Sequence, residues 1–347
     1  MNRYIAILLC GVFALISCDK AKSFAAKVMK QGLATKTANR TPPPVDEGLQ
    51  KWVDQTADGA VFRKDLPFPA RLEVRTTRCL EISGRFSQSS AIEVRTDLPP
   101  GTNSQITQCG RSGDQVFYQL EQSAFVPRVS TAEGTAQPAA KPADKPSAKS
   151  SPQPSAKPLE SPNPSPAPPS SRSVTFRKTG TSWVGEPRTD FRAVALAKDA
   201  SPVFDQLLIE NALAPRPLWF AKRRFKIGDQ LVVTGTSLPM LLVGDAQGSF
   251  TLKLEAFEPV DGHPCGVFSV TGNYHRKQSP DFEGLRTDED VTIQSGKLWL
   301  SLIYPVILKE ELDTIQTLKS GGQGGLVTRG QGAIQVSVTR AWKPVLP

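Results

Sequence analysis

The residues able to do chemistry in this chain are few and scattered. Only two histidines, His263 and His275, occur in 347 residues. Tetrahedral zinc draws its ligands from cysteine, histidine and carboxylate, so a site here would need an unusual mixed set. Asp288, Glu289 and Asp290 form a compact acidic triplet. On a strand, consecutive side chains point to opposite faces and cannot gather the oxygens a calcium ion needs, so the triplet reads as a solvated turn. Gly321-Gly322-Gln323-Gly324-Gly325 has the composition of a phosphate loop. It lacks the Gly-Lys-Ser/Thr ending, and it joins strands instead of opening a helix. Neither a Gly-x-Ser-x-Gly elbow nor a His-Glu-x-x-His helix is encoded. These residues give no reason to expect a cofactor or a catalytic centre.

Cys79, Cys109 and Cys265 follow residue 18. In an oxidising compartment a Cys79–Cys109 bond would close a loop of about 30 residues, contributing roughly 3.5 kcal/mol through chain entropy. Cys265, in His263-Pro264-Cys265-Gly266-Val267-Phe268, begins an apolar run and reads as a buried thiol. Lys222, Arg224 and Lys226 alternate with Ala221, Phe225 and Ile227, and Trp219 extends the apolar row. On a strand this puts a basic face opposite an aromatic one. Such a face offers a patch for an anionic ligand or a membrane surface, although alternation alone also explains it as a solvated face.

The chain opens with Arg3 and an uncharged apolar run from Tyr4 to Ile16. A bilayer span needs roughly 20 apolar residues, so the run suits a secretion signal instead. Its ending, Leu15-Ile16-Ser17-Cys18, resembles a bacterial lipoprotein signal. The resemblance implies that residues 1–17 are removed and that Cys18 is lipidated. Acyl chains contribute about 0.8 kcal/mol per buried methylene, so two or three would hold the protein on a membrane of the cell envelope. Residues 18–44 would then be a basic tether. Lys20, Lys22, Lys27, Lys30, Lys36 and Arg40 face Asp19 alone, and this collar accounts for much of the net charge of +9. Beside anionic lipid each such cation contributes on the order of 1 kcal/mol. Basicity lying mainly in a tether gives no ground for a nucleic-acid partner.

The elements that would position these residues are mostly strands. Val45–Thr56 admits a short helix with Leu49, Trp52 and Val53 on one side. From Ala60 the period is two: Leu72, Val74 and Thr76, then Leu80 and Ile82, then Ile92 and Val94, and Val116, Tyr118 and Leu120 after the Gly113-Asp114 turn. Residues 131–172 hold more than a third of the chain's 30 prolines with Ala, Ser and Lys. Too little apolar surface is available there to offset the ordering entropy, so a disordered insertion is expected. It separates an N-terminal β part, 45–130, from a C-terminal one, 173–347. Strand patterning resumes at Val174–Phe176, Thr181–Val184 and Phe191–Leu196, and a helix is expected over 201–213 from Phe204, Leu207 and Leu208. Phe250–Ala256 alternates without a break, and Asp261-Gly262 is a strong type I′ hairpin signal. Val291 and Ile293 precede a turn expected at Ser295-Gly296, with Leu298–Tyr304 after it. Residues 306–319 read as a strand joined through the Gly-rich 320–325 stretch to Leu326–Arg329, and Ile334–Trp342 closes the chain. The expected fold is mainly β, a large curved antiparallel sheet or open barrel with one or two short helices.

Arg216–Gly262 contains Pro217-Leu218, Lys226-x-Gly228-Asp229, a strand, Asp261-Gly262 and then a Cys-bearing strand. In this it resembles a broad family of uncharacterised bacterial envelope lipoproteins built on one large antiparallel β domain. The likeness is clearest over residues 190–343 and extends back to Ala60. The family's Gly-Asp-x-Trp is Gly228-Asp229-Gln230-Leu231 here. The resemblance implies that the two β parts form one domain, and it brings no established activity. Three functions are then open: a non-catalytic module that binds or scaffolds an envelope partner, a carrier of an amphiphile, and an envelope hydrolase. A filled core favours the first, an open apolar cavity the second, and a Ser–His pair or converging carboxylates in a cleft the third.

Overall fold

The computed structural model describes residues 47–89, 96–128, 172–187, 194–195, 201–278, 286–321 and 327–344. The lipidation expected at Cys18, the tether, the insertion and the Ile92–Val94 strand lie outside the described residues. The first elements are a one-turn helix α1 (Glu47–Gln50) and the short strands β1 (Asp54–Thr56) and β2 (Gly59–Val61). The helix expected over 45–56 therefore stops at Gln50. Leu49 is buried, while Trp52 is left 37% exposed.

Long strands follow: β3 (Arg71–Ser89), β4 (Thr96–Leu98), β5 (Gly101–Ser112), β6 (Gln115–Pro127), β7 (Arg172–Thr179), β8 (Ser182–Pro187) and β9 (Val194–Ala195). After the helix α2 (Ser201–Glu210) come β10 (Arg224–Phe225), β11 (Gln230–Thr234), a 3-10 turn (Gly235–Met240), β12 (Ala246–Phe257), β13 (Cys265–Gln278), β14 (Arg286–Ser301), β15 (Ile307–Gly321) and β16 (Val327–Pro344). A small sheet has the order β1-β2-β10. The large curved sheet runs β11-β12-β13-β14-β15-β16-β3-β5-β6-β7-β8-β9, with β4 beside β3. Every pairing is antiparallel, and the two ends of the path do not meet, so the sheet is open.

The pieces on either side of residues 129–170 belong to this one sheet. Gln115–Leu120 on β6 pairs directly with Arg172–Arg177 on β7. The first and last long strands also lie side by side, β3 against β16, from Leu72↔Pro344 to Ser89↔Val327. Alternation gives β3 its orientation. Leu72, Val74, Thr76, Ile82 and Phe86 are buried, while Arg71, Glu73 and Arg75 face water.

Two apolar clusters make most of the core. One gathers Leu72, Val74, Val116, Tyr118, Phe176, Trp183, Trp299, Leu308 and Trp342 around Phe204, Leu208 and Leu213. Phe204 on α2 stands 4.5 Å from the ring of Phe176 and 4.6 Å from that of Trp183. The helix ends with Leu213 N–H bonding Leu208 and Ala212 N–H bonding Ile209, a Schellman motif with Ala212 at φ 58°. The second cluster packs Leu252, Leu254, Phe268, Val270, Leu298 and Leu300 against Phe62, Trp219, Phe220, Phe225, Leu238 and Met240.

Four sequence expectations are corrected. Residues 219–227 are not a strand: Trp219 and Phe220 are consecutive and both buried, and only Arg224–Phe225 pairs with a neighbour. Ser295-Gly296 is no turn but part of the continuous β14, just after a bulge at Gln294, where Ile293 faces Thr314 and Ser295 faces Asp313. Asp288, Glu289 and Asp290 likewise lie on β14 and not in a turn. The Cys79–Cys109 disulfide is overturned by register: Cys79 faces Ser104 and Cys109 faces Val74, five positions along the same ladder. At about 3.4 Å per residue that is roughly 17 Å, far beyond a disulfide's Cα separation of about 7 Å at most.

The Asp261-Gly262 hairpin is as expected. Its residues take φ 48° and 83°, and Val260 and His263 exchange both backbone bonds at 2.9 Å. The strand over 306–319 is β15, which pairs with β16 from Lys309↔Thr339 to Gly321↔Val327.

Candidate functional site

Lys222, Arg224 and Lys226 do not form an open basic patch. The Arg224 Nη2 meets Asp54 at 2.6 Å and its Nη1 donates to the Gly59 carbonyl at 2.9 Å. Lys226 pairs with Asp58 at 3.2 Å, and the charge of Lys222 acts on Asp65, which Arg63 holds down at a pKa of about 2 by a hydrogen bond. The β1–β2 hairpin thus sets a carboxylate against Arg224 and another against Lys226, occupying groups that an anionic ligand would use.

A Ser–His pair does exist. His263 Nε2 lies 2.7 Å from Ser301 Oγ, and both residues are buried. Ser301 Oγ also accepts the N–H groups of Ile303 at 3.1 Å and Tyr304 at 3.0 Å. With both lone pairs taken, the hydroxyl proton points to Nε2, which leaves the imidazole proton on Nδ1. Burial holds the ring neutral, with its pKa lowered to about 3. An oxygen committed to two backbone donors is not poised for attack. The pair locks the Asp261-Gly262 hairpin to the end of β14. Close by, Cys265 Sγ donates to the His263 carbonyl at 3.4 Å, and burial pushes its thiol pKa up. Cys109 is likewise buried, pushed up to about 12.

His275 projects from β13 between two members of the acidic triplet, 2.9 Å from Asp290 and 3.6 Å from Asp288. Glu289 points the other way and pairs with Arg276 through Nε at 2.6 Å. Among the described residues no three His, Cys, Asp or Glu side chains gather as metal ligands do.

The site that sequence reasoning missed is a polar belt beside the core. Thr107, Thr76 and Arg340 are buried and lie in one row across β5, β3 and β16. Arg340 Nη1 donates to Glu310 at 2.6 Å and to the Ile307 carbonyl at 3.0 Å. Burial works to raise the Glu310 pKa, but the charge and hydrogen bond of Arg340 outweigh it and the group ends below its ordinary value. Arg216 enters from the chain that follows α2. Its N–H bonds the Pro305 carbonyl at 2.9 Å, and its Nη1 donates to the Leu241 carbonyl at 2.8 Å. Burial lowers its pKa to about 10, so it stays charged at neutral pH. Glu310 and Glu210 act on it only through space, opposed by the like charge of Arg340. Arg216 Nε, Arg340 Nε and Thr76 Oγ1 are all buried without a hydrogen-bond partner.

No sequence signal marks this belt, because Arg216 lies outside any strand pattern and its neighbours come from distant strands. Compared with family models, with curated proteins and with solved structures, the chain matches none.

Proposed function

We propose that this protein is a membrane-anchored bacterial envelope lipoprotein, held through lipid on Cys18, whose β domain is a non-catalytic binding or scaffolding module. One observation carries the choice among the three functions: the described core is filled. Aromatic rings pack directly on one another in both apolar clusters, Phe62 4.7 Å from Phe220 and 5.2 Å from Phe268, and Phe204 4.5 Å from Phe176 and 4.6 Å from Trp183. A carrier of long acyl chains needs an apolar cavity of roughly 300–1,000 Å³, which a packed core of this kind does not supply. The sealed Ser301–His263 lock supports the non-catalytic reading. The anchor would place the domain on the periplasmic side of the inner membrane or on the outer membrane, with an envelope component as partner.

Native mass spectrometry of the full protein extracted from its own cells tests this against the carrier. The expected spectrum shows the polypeptide with its covalent lipid alone. A stoichiometric non-covalent lipid of several hundred daltons would overturn it.

A further inference from the structure

We propose that the outer face of the large sheet carries a groove that binds a phosphate ester flanked by hydroxyl groups, held by Arg85, Arg329 and Lys319. The proposal rests on the reading of the domain as a binding module and names the chemistry of its ligand.

The groove lies where β3 and β16 run beyond the two main apolar clusters. Ile82, Phe86 and Ile334 are buried there on the inner face, with Leu318 packed against them. Alternation sends Arg85, Ser87 and Ser89 of β3, Val327 and Arg329 of β16, and Lys319 of β15 to the opposite face. A groove of about 350 Å³ opens on that face, lined by Arg85, Ser87, Ser89, Val327, Arg329 and Gly330. Only Val327 among these side chains is apolar, so the groove is no cavity for an acyl chain.

Register brings the cations together. Arg329 stands directly opposite Lys319 on one side and opposite Ser87 on the other. Arg85 is opposite Gln331, one diagonal step from Arg329. Facing positions put Cβ atoms about 5 Å apart and diagonal ones about 7–8 Å, and like charges directly opposite weaken a strand pair. All three cations are exposed, and none is in an ion pair among the described residues.

The neighbouring carboxylates leave this excess in place. Asp288, on the far side of Lys319, lies 3.6 Å from His275 and faces Lys277. On the other flank Asp97 of β4 is opposite Ser87. Three cations thus stand against one unshared carboxylate position. A phosphate monoester brings a charge of about −1.5 to −2 at neutral pH, which matches the difference. Its oxygens accept the paired N–H donors of guanidinium groups. Ser87 Oγ donates only at 3.5 Å, to the Arg329 carbonyl, and with Ser89 it offers hydroxyls at the same mouth. Those groups suit the hydroxyls of a sugar or polyol that carries the phosphate.

The test titrates the full-length protein in neutral detergent with glycerol 3-phosphate, at constant ionic strength set by chloride, and reads thermal unfolding. The wild type should show a saturable rise in Tm below about 10 mM ligand, and glycerol alone should produce none. Arg85→Gln and Arg329→Gln change exposed side chains, so both proteins should fold as the wild type does. Each should bind about tenfold more weakly, having lost charge-assisted hydrogen bonds. Lys343→Gln removes the same charge near the other end of β16, on the same face, and should leave the affinity unchanged. The absence of a saturable response in the wild type would overturn the proposal. So would wild-type affinity in both arginine variants, or an equal loss in Lys343→Gln, which would mean diffuse attraction to a basic surface.

A six-unit glycerol phosphate oligomer distinguishes the source of the group. Binding tighter per phosphate than the monomer assigns a repeating envelope polymer, and binding no tighter assigns a free polyol or sugar phosphate; both support the groove. A protein that carries its covalent lipid alone yet ignores glycerol 3-phosphate would sink this inference and leave the binding-module reading in place.

Discussion

Burial lowers the pKa of His263 from 6.5 to about 3, and this gives a single residue control over acid stability. Between those values the unfolded chain binds a proton at this position that the folded chain refuses. The stabilisation is therefore complete above about pH 6.5 and is lost as the pH falls towards 3, at up to roughly 1.4 kcal/mol per pH unit for one proton. His263→Asn removes the titrating group and should flatten that part of the curve. Urea unfolding midpoints of the two proteins between pH 4 and 7 check this, and parallel curves would refute it. Nothing local in the sequence announces the group's situation. His263 and Ser301 are 38 residues apart, and the partners of Arg216 and Arg340 are as remote. Such pairings are made by the sheet's register, and a single-residue slip would send each side chain to the other face.

The strands themselves were readable because alternation is a local property. Leu72, Val74 and Thr76 on β3 and Phe250, Leu252 and Leu254 on β12 face the core as their spacing requires. Readability failed where the backbone departs from regular pleating. Ser295-Gly296 carries turn residues, yet they run on within β14 after a bulge at Gln294, and the Lys222–Lys226 alternation was outweighed by burial of the adjacent Trp219 and Phe220. The long β3–β16 ladder shows what such irregularity demands. Gly84 takes φ +146° opposite Gly332, and a Cβ there would stand 2.4 Å from the Gly332 Cα and 2.6 Å from the Gln331 carbonyl oxygen. Gly84→Ala should cost about 1–3 kcal/mol through strain and strand separation. Chemical denaturation measures it directly, and a loss under about 0.5 kcal/mol, the range of a neutral surface change, would contradict the tight pairing.

At the scale of the molecule, one open sheet takes its strands from both sides of residues 129–170, packed on its core side, with buried Arg340 and Thr76 paired on its central strands β16 and β3. Such a body has no described helix long and apolar enough to cross a membrane. Under the proposed anchoring, attachment depends on the thiol of Cys18 and on the basic collar of residues 19–41. The collar alone contributes about 1 kcal/mol per cation near anionic lipid and weakens as salt screens it, so it cannot replace acyl chains. The most direct test is metabolic labelling with a fatty acid in the native host, followed by fractionation of wild type and Cys18→Ser in high salt. Lipid anchoring predicts label and membrane retention for the wild type, and neither for the variant. A Cys18→Ser protein cleaved after Ser17 and still held by membranes at high salt would contradict it.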